Sequence, residues 1–181
     1  RGNMHKNMSI DYLVSRGEYL TGKLMAAYLG YDFVDATEWV AFGYDGKLDM
    51  EKSQVNLAAM FGEKSKVVLP GFYGALPDGK VRVMSRGGSD ITGALAAAAI
   101  DAGVYENWTD VSGILMADPR IVDNPRPIAH ITYSELRELS YMGANVLHEE
   151  TIFPVRIKDI PINIRNTNDP QAPGTLIQES F

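Results

Sequence analysis

The stretch that most restricts what this chain can fold into is residues 81–103, VRVMSRGGSDITGALAAAAIDAG. β-forming Val81 and Val83 open it, Gly87 and Gly88 free the backbone for a tight turn, and an Ala-rich run continues to Gly103. The pattern predicts strand, glycine turn and helix, with Ser89 and Asp90 as N-cap residues and Gly103 as the stop. Such a turn aims the first unpaired N–H groups of a helix beyond the end of the strand, which makes an anion site. Arg86, just before the turn, adds a planar fork suited to a carboxylate or phosphate, and Asp90 adds a carboxylate near the same spot. On spacing alone, an ordinary capped helix accounts for the stretch equally well.

Helical and strand patterns alternate from end to end. That predicts an α/β chain, a three-layer αβα sandwich with a mostly parallel sheet. The 181 residues, 45% of them hydrophobic, fit one domain with a sizeable core. A net charge of −6 and the lack of a basic run argue against a nucleic-acid partner. There is no cysteine, so disulfides and Cys–metal sites are excluded. No apolar run reaches the ~18 residues of a membrane span, and no signal-peptide pattern opens the chain. The class expected is an acidic, cytoplasmic domain with no membrane partner.

Taken in order, the spacing predicts a helix over 9–30, which Gly17 can interrupt, with Leu20, Leu24, Ala27 and Tyr28 as its apolar stripe. A strand is expected over 31–36, then a loop over 37–47 in which Trp39 and Phe42 are core or interface residues rather than ligand contacts. A helix over 50–62 should turn Val55, Ala58 and Ala59 inward, before a buried strand over 66–70. Residues 74–80, GALPDGK, imitate a phosphate-binding loop up to its lysine. Val81 follows where Ser or Thr is needed, and the next stretch is β-rich, so the sequence reads as a plain turn at Pro77-Asp78-Gly79. Later elements are strands over 128–132, 160–165 and 175–178, a helix over 134–142 capped by Ser134, and a helix over 146–157 interrupted at Pro154.

Two further groups carry polar chemistry. Ser15-Arg16-Gly17-Glu18 places a glycine between charges inside a helix, at a cost of about 1 kcal/mol against Ala. Either the helix breaks there, or Glu18 is a carboxylate that holds an ammonium group. Thr109, Asp110, Asp118 and Arg120 offer a hydroxyl, two carboxylates and a guanidinium, an inventory suited to a nucleotide. His5 and His148 are assigned no role.

Four segments in this order resemble the aspartate kinases of the amino-acid kinase family. Ser15-Arg16-Gly17-Glu18 is similar to their S-x-G-E, Gly71-Phe72-Tyr73-Gly74 to their G-F-x-G, and Ser85 to Thr92 to their R-G-G-S-D segment. Residues 109–120 resemble T-D-V-x-G-x-x-x-A-D-P-R. The resemblance implies an ATP-dependent kinase that converts L-aspartate to 4-phospho-L-aspartate, the first step of Lys, Thr and Met biosynthesis. It implies that Glu18 and Arg86 hold the amino acid's ammonium and carboxylate, that Phe72 walls the pocket, and that Ser89 also binds substrate. Asp90 would organise donors around the transferred phosphoryl. Thr109, Asp110, Asp118, Arg120 and Asn145 would hold the nucleotide, with Mg²⁺ on its phosphates and no protein metal site. A homo-oligomer is expected of the full-length protein.

There are departures. Leu115 stands where relatives often have Tyr. In Gly143-Ala144-Asn145-Val146-Leu147-His148, similar to the family's G-A-K-V-L-H, Asn145 replaces the phosphate-contacting Lys. Nothing resembles the opening K-F-G-G-T-like loop with its catalytic lysine, nor the C-terminal regulatory domains. The chain thus resembles the later part of a kinase domain, with a substrate-binding and a nucleotide-binding part. The competing readings are a piece that only binds ligand or folds, inactive by itself, and a kinase for another amino acid such as glutamate.

Overall fold

The computed structural model describes residues 8–62, 66–85, 87–118, 121–141, 147 and 149–180, with the side chains of 149 and 150 left aside. The chain forms two compact units, residues 1–100 and 101–181.

Unit 1 opens with α1 (Ile10–Leu29), capped by the Ser9 hydroxyl, which accepts from Tyr12 N, and closed by Gly30 at φ 68°. The helix runs unbroken through Gly17. Its apolar stripe is a correction to the expected orientation: Leu24 and Tyr28 are 70% and 83% exposed. The buried face is small instead, made of Ser15, Gly22 and Ala26. A Cβ at Gly22 would come within 3.1 Å of the Phe33 ring, so a bulkier residue could not approach so closely.

β1 (Asp32–Phe33) is shorter than the strand expected over 31–36, because the Asp35 carboxylate accepts from Thr37 N and starts α2 (Ala36–Trp39). β2 (Ala41–Phe42) and β3 (Leu48–Asp49) then occupy part of the predicted loop. α3 (Met50–Phe61) is capped by Asp49 and buries Ser53 and Leu57, whereas Val55, Ala58 and Ala59 face out, against expectation. The Ser53 hydroxyl accepts from Ala41 N and donates to Asp49 O, which fixes that face inward. β4 (Val67–Val68), β5 (Tyr73–Ala75), β6 (Val81–Val83) and α4 (Gly88–Ala99) complete the unit. β1 pairs in parallel with β4, and a second sheet runs β3-β2-β5-β6. Trp39, Val40, Leu57, Tyr73 and Leu95 make the core. The phosphate-loop mimic is the β5–β6 hairpin, in which Gly79 N donates to Leu76 O and Lys80 pairs with Asp78 at the surface.

Unit 2 contains β7 (Tyr105–Thr109), β8 (His130–Thr132), α5 (Tyr133–Tyr141), α6 (Glu149–Ile157), β9 (Ile162–Asn166) and β10 (Thr175–Gln178). Its sheet runs β7-β9-β10-β8, with β9 and β10 antiparallel and the other neighbours parallel. α5 begins one residue before Ser134. Thr132 and Glu135 form a reciprocal cap: the Glu135 carboxylate accepts from Thr132 N at 2.8 Å, and Glu135 N donates to the Thr132 hydroxyl at 3.2 Å. α6 keeps Pro154 inside its span. Ile114, Ile152, Val155, Ile162, Ile164 and Ile177 are among the fully buried residues of unit 2. Among the described strands of both units, four pairings are parallel and three antiparallel.

Candidate functional site

In unit 1 the chain after β6 enters α4 through Gly87, at φ 78°, with no side-chain cap. Ser89 and Asp90 therefore sit in the helix's first turn rather than at its cap, a correction to the sequence reading. The left-handed φ is what only glycine adopts without strain, and it turns the chain from β6 into α4.

Phe72 lies against this turn. A Cβ at Gly88 would stand 2.9 Å from the Phe72 Cβ and 2.8 Å from the Met84 Cβ. A Cβ at Gly71 would meet the Ser89 Cα at 3.4 Å. Thr92 ties the two together: its hydroxyl donates to Gly88 O at 2.7 Å and accepts from Phe72 N at 3.0 Å. Met84 N donates to Phe72 O at 2.7 Å. Phe72 itself has φ 62°, a left-handed conformation that costs a bulky residue ~1–3 kcal/mol and persists only where its surroundings fix it.

Behind Phe72, the Tyr73 ring packs edge-on at 5.9 Å and is fully buried. Its hydroxyl donates to the Asp35 carboxylate at 2.9 Å. Burial, then the Asp35 carboxylate, hold the Tyr73 phenol well above its ordinary value. The Arg16 guanidinium lies over the rings of Tyr12, Tyr19 and Tyr73 at 4.4, 4.5 and 5.5 Å. It also donates twice to the buried Ser15 hydroxyl. The segment Ser15–Glu18 thus reaches the Phe72 corner through Arg16, while Glu18 is exposed.

In unit 2, β7 ends at Thr109, whose hydroxyl donates to Asp110 at 3.3 Å and whose carbonyl accepts from both Thr167 N and the Thr167 hydroxyl. The segment that follows loops out and back: Ile128 N donates to Ile114 O, and Met116 N to Arg126 O. Asp118 lies on this loop and its carbonyl accepts from Ile121 N and Val122 N. The loop is anchored by the buried Thr175 hydroxyl, which accepts from Ile114 N at 2.8 Å and donates to Ile128 O at 2.6 Å. Gly113, at φ 85°, lets the backbone pass this hydroxyl, and a Cβ there would collide with it. Arg86, Arg120, Asn145 and His148 lie outside the described residues.

The profile of the amino acid kinase family matches residues 2–166. The chain belongs to the amino acid kinase family. It is 38% identical over 176 residues to aspartokinase 3 of Bacillus subtilis, covering 93% of this chain and 39% of that protein. The aspartate kinase structure of Clostridium acetobutylicum is 53% identical with a TM-score of 0.88, over 97% of this chain and 40% of that one. Escherichia coli aspartokinase III, solved in complex with aspartate and ADP, is 32% identical with a TM-score of 0.83, over 94% of this chain and 41% of that one. This amino acid kinase chain therefore spans about two fifths of the length of these relatives. Its fold is the amino-acid kinase fold, with mixed sheets flanked by helices.

Of the family-derived site residues, Phe72, Ser89 and the start of α4 are brought together in unit 1, and Thr109 with Asp110 in unit 2. Sequence reasoning missed Thr92, Arg16, Tyr73 and Thr175. Thr92 was findable, since it lies four residues after Gly88 on the same helix face. The positive φ of Phe72 has no sequence signal. Among the described residues no helix is long and apolar enough to cross a membrane, and no group of three or more acidic or His side chains could hold a metal.

Proposed function

We propose that this chain is the aspartate- and nucleotide-binding portion of a cytoplasmic, homo-oligomeric kinase that phosphorylates L-aspartate at its side-chain carboxylate with ATP, opening the route to Lys, Thr and Met. Unit 1 is the substrate part and unit 2 the nucleotide part of one kinase domain. The observation that carries this reading is the corner in which Phe72, held at φ 62°, rests on the glycine turn at the start of α4. A strained aromatic fixed at the N-terminus of a helix suits a small anionic substrate better than a passive turn does.

Phosphoryl transfer needs positioning and charge neutralisation more than covalent help. Glu18 and Arg86 hold the ammonium and α-carboxylate, Phe72 and Ser89 line the pocket, and Asp90 orients donors around the moving phosphoryl. Thr109, Asp110, Asp118, Arg120 and Asn145 hold the nucleotide. Mg²⁺ enters as the MgATP substrate, which accords with a binding mode of one or two carboxylates plus phosphates rather than an all-protein cage. Asn145 offers a neutral donor where a cation would neutralise more charge.

The test is a coupled assay of the full-length protein with ATP, Mg²⁺ and either L-aspartate or L-glutamate. Aspartate should be the acceptor, and Arg86→Ala should weaken aspartate far more than ATP, by about 2–5 kcal/mol. Transfer to glutamate in preference, or equal losses for both ligands, would sink the assignment.

A further inference from the structure

We infer that Arg16 is a positioning residue for the substrate pocket, setting the place of Phe72 by clamping Tyr73, and this rests on the aspartate kinase reading above. Tyr12, Arg16 and Tyr19 share one face of α1, at spacings of four and three residues. Tyr73 reaches that face from β5, so the guanidinium meets three rings at 4.4–5.5 Å. Its hydrogen-bond partner is the Ser15 hydroxyl, and among the described residues no carboxylate pairs with it. An apolar side chain would fill a slot between three rings without the desolvation cost of a cation. A planar, delocalised cation does something an apolar chain cannot: it stacks on several rings at once and fixes their relative angles.

The ring it fixes is the one that matters for the pocket. Tyr73 is held at its far end by Asp35, at 2.9 Å, and its neighbour Phe72 is the strained residue against Gly88. Glu18 is two positions along α1, so it points to a different side of the helix from Arg16. One helix thus carries the ammonium-binding carboxylate on one side and the clamp for the opposite wall on another. Arg16 does not touch substrate; it couples the place of α1 to the place of Phe72.

The experiment is steady-state kinetics on the full-length protein, with aspartate and ATP varied separately, for wild type, Arg16→Met and Arg16→Lys, alongside thermal melts. Arg16→Met should raise KM for aspartate ~10-fold and leave KM for ATP within ~2-fold, with little change in Tm, because only substrate positioning is lost. Arg16→Lys, which keeps a cation but not the planar fork that stacks on three rings, should recover part of that loss and no more. Arg16→Gln, which keeps a donor for Ser15, replaces the Met variant if the latter fails to fold. An unchanged KM for aspartate, equal rises for both substrates, or a loss that follows Tm and is not recovered by Lys overturns the inference alone. A wild-type protein that does not phosphorylate aspartate overturns the underlying reading and the inference with it.

Discussion

In unit 1 the turn bearing Phe72 rests directly on the Cα of Gly88 and is tied by the Thr92 hydroxyl, so backbone meets backbone with no room between. In unit 2 the loop that follows Asp110 is closed by backbone bonds from Ile128 N to Ile114 O and from Met116 N to Arg126 O, and the Thr175 hydroxyl ties its base by spanning Ile114 and Ile128. The first arrangement fixes a shape by contact and tolerates no added atom. The second fixes it by hydrogen bonds and leaves Met116 and Ile121 exposed. The former suits a rigid wall, and the latter suits a loop that has to move.

The sharpest way to break the contrast is Gly88→Ala. The new methyl would stand 2.8–2.9 Å from Met84 and Phe72, and overpacking of this kind should cost more than ~3 kcal/mol, read by urea unfolding. A loss under 1 kcal/mol would mean that the corner can yield. Next is Thr175→Val, which leaves Ile114 N and Ile128 O without their partner at near-constant shape. A loss of ~2 kcal/mol is expected, together with faster hydrogen exchange at the Ile114 amide; unchanged exchange would show that the hydroxyl is not the anchor.

Tyr73→Phe should cost ~1 kcal/mol at neutral pH, the net worth of its bond to Asp35. Its pH dependence has a definite sign. The folded phenol ionises well above its ordinary value of 10.0, so its contribution is complete below pH 10 and fades as pH rises through the folded value, because the unfolded chain ionises first. Denaturation curves of wild type and Tyr73→Phe should therefore converge at alkaline pH, and curves that stay parallel would refute the assignment. Smallest of all is Lys80→Ala, expected to leave ATP binding unchanged in a calorimetric titration. Lys80 sits at a hairpin end paired with Asp78, and a drop in affinity would revive the phosphate-loop reading of residues 74–80.

Much of this was legible from residues alone. The helix stop at Gly30, the glycine turn at Gly87, the turn at Pro77 and the last strand all follow from local chemistry that acts within a few residues. The buried side of α1 was not legible. Periodicity identifies a stripe, and nothing local says that the small residues Ser15, Gly22 and Ala26, rather than Leu20, Leu24 and Tyr28, face the sheet. The same holds for α3, where a serine bonded to two backbone groups outcompetes valine for the interior. The cap of α4 was misread because Ser89 is a better N-cap by preference, but only Gly87 can take the left-handed turn that seats Phe72. The motifs named candidate residues, and the tertiary packing supplied the supports, Thr92, Arg16 and Thr175, whose roles no motif encodes.

The two tryptophans fall one to each unit. Trp39 has no exposed surface and its indole N–H finds no partner in the interior. Trp108 is 42% exposed, with Arg165 stacked on its ring at 4.7 Å. Their light emission should differ accordingly: short-wavelength and shielded for Trp39, longer-wavelength and open to acrylamide for Trp108. The chain thus carries an optical reporter in each half without any label. Quenching reads unit 2, the shielded band reads unit 1, and a denaturation followed in both bands reveals whether the units melt together or in turn.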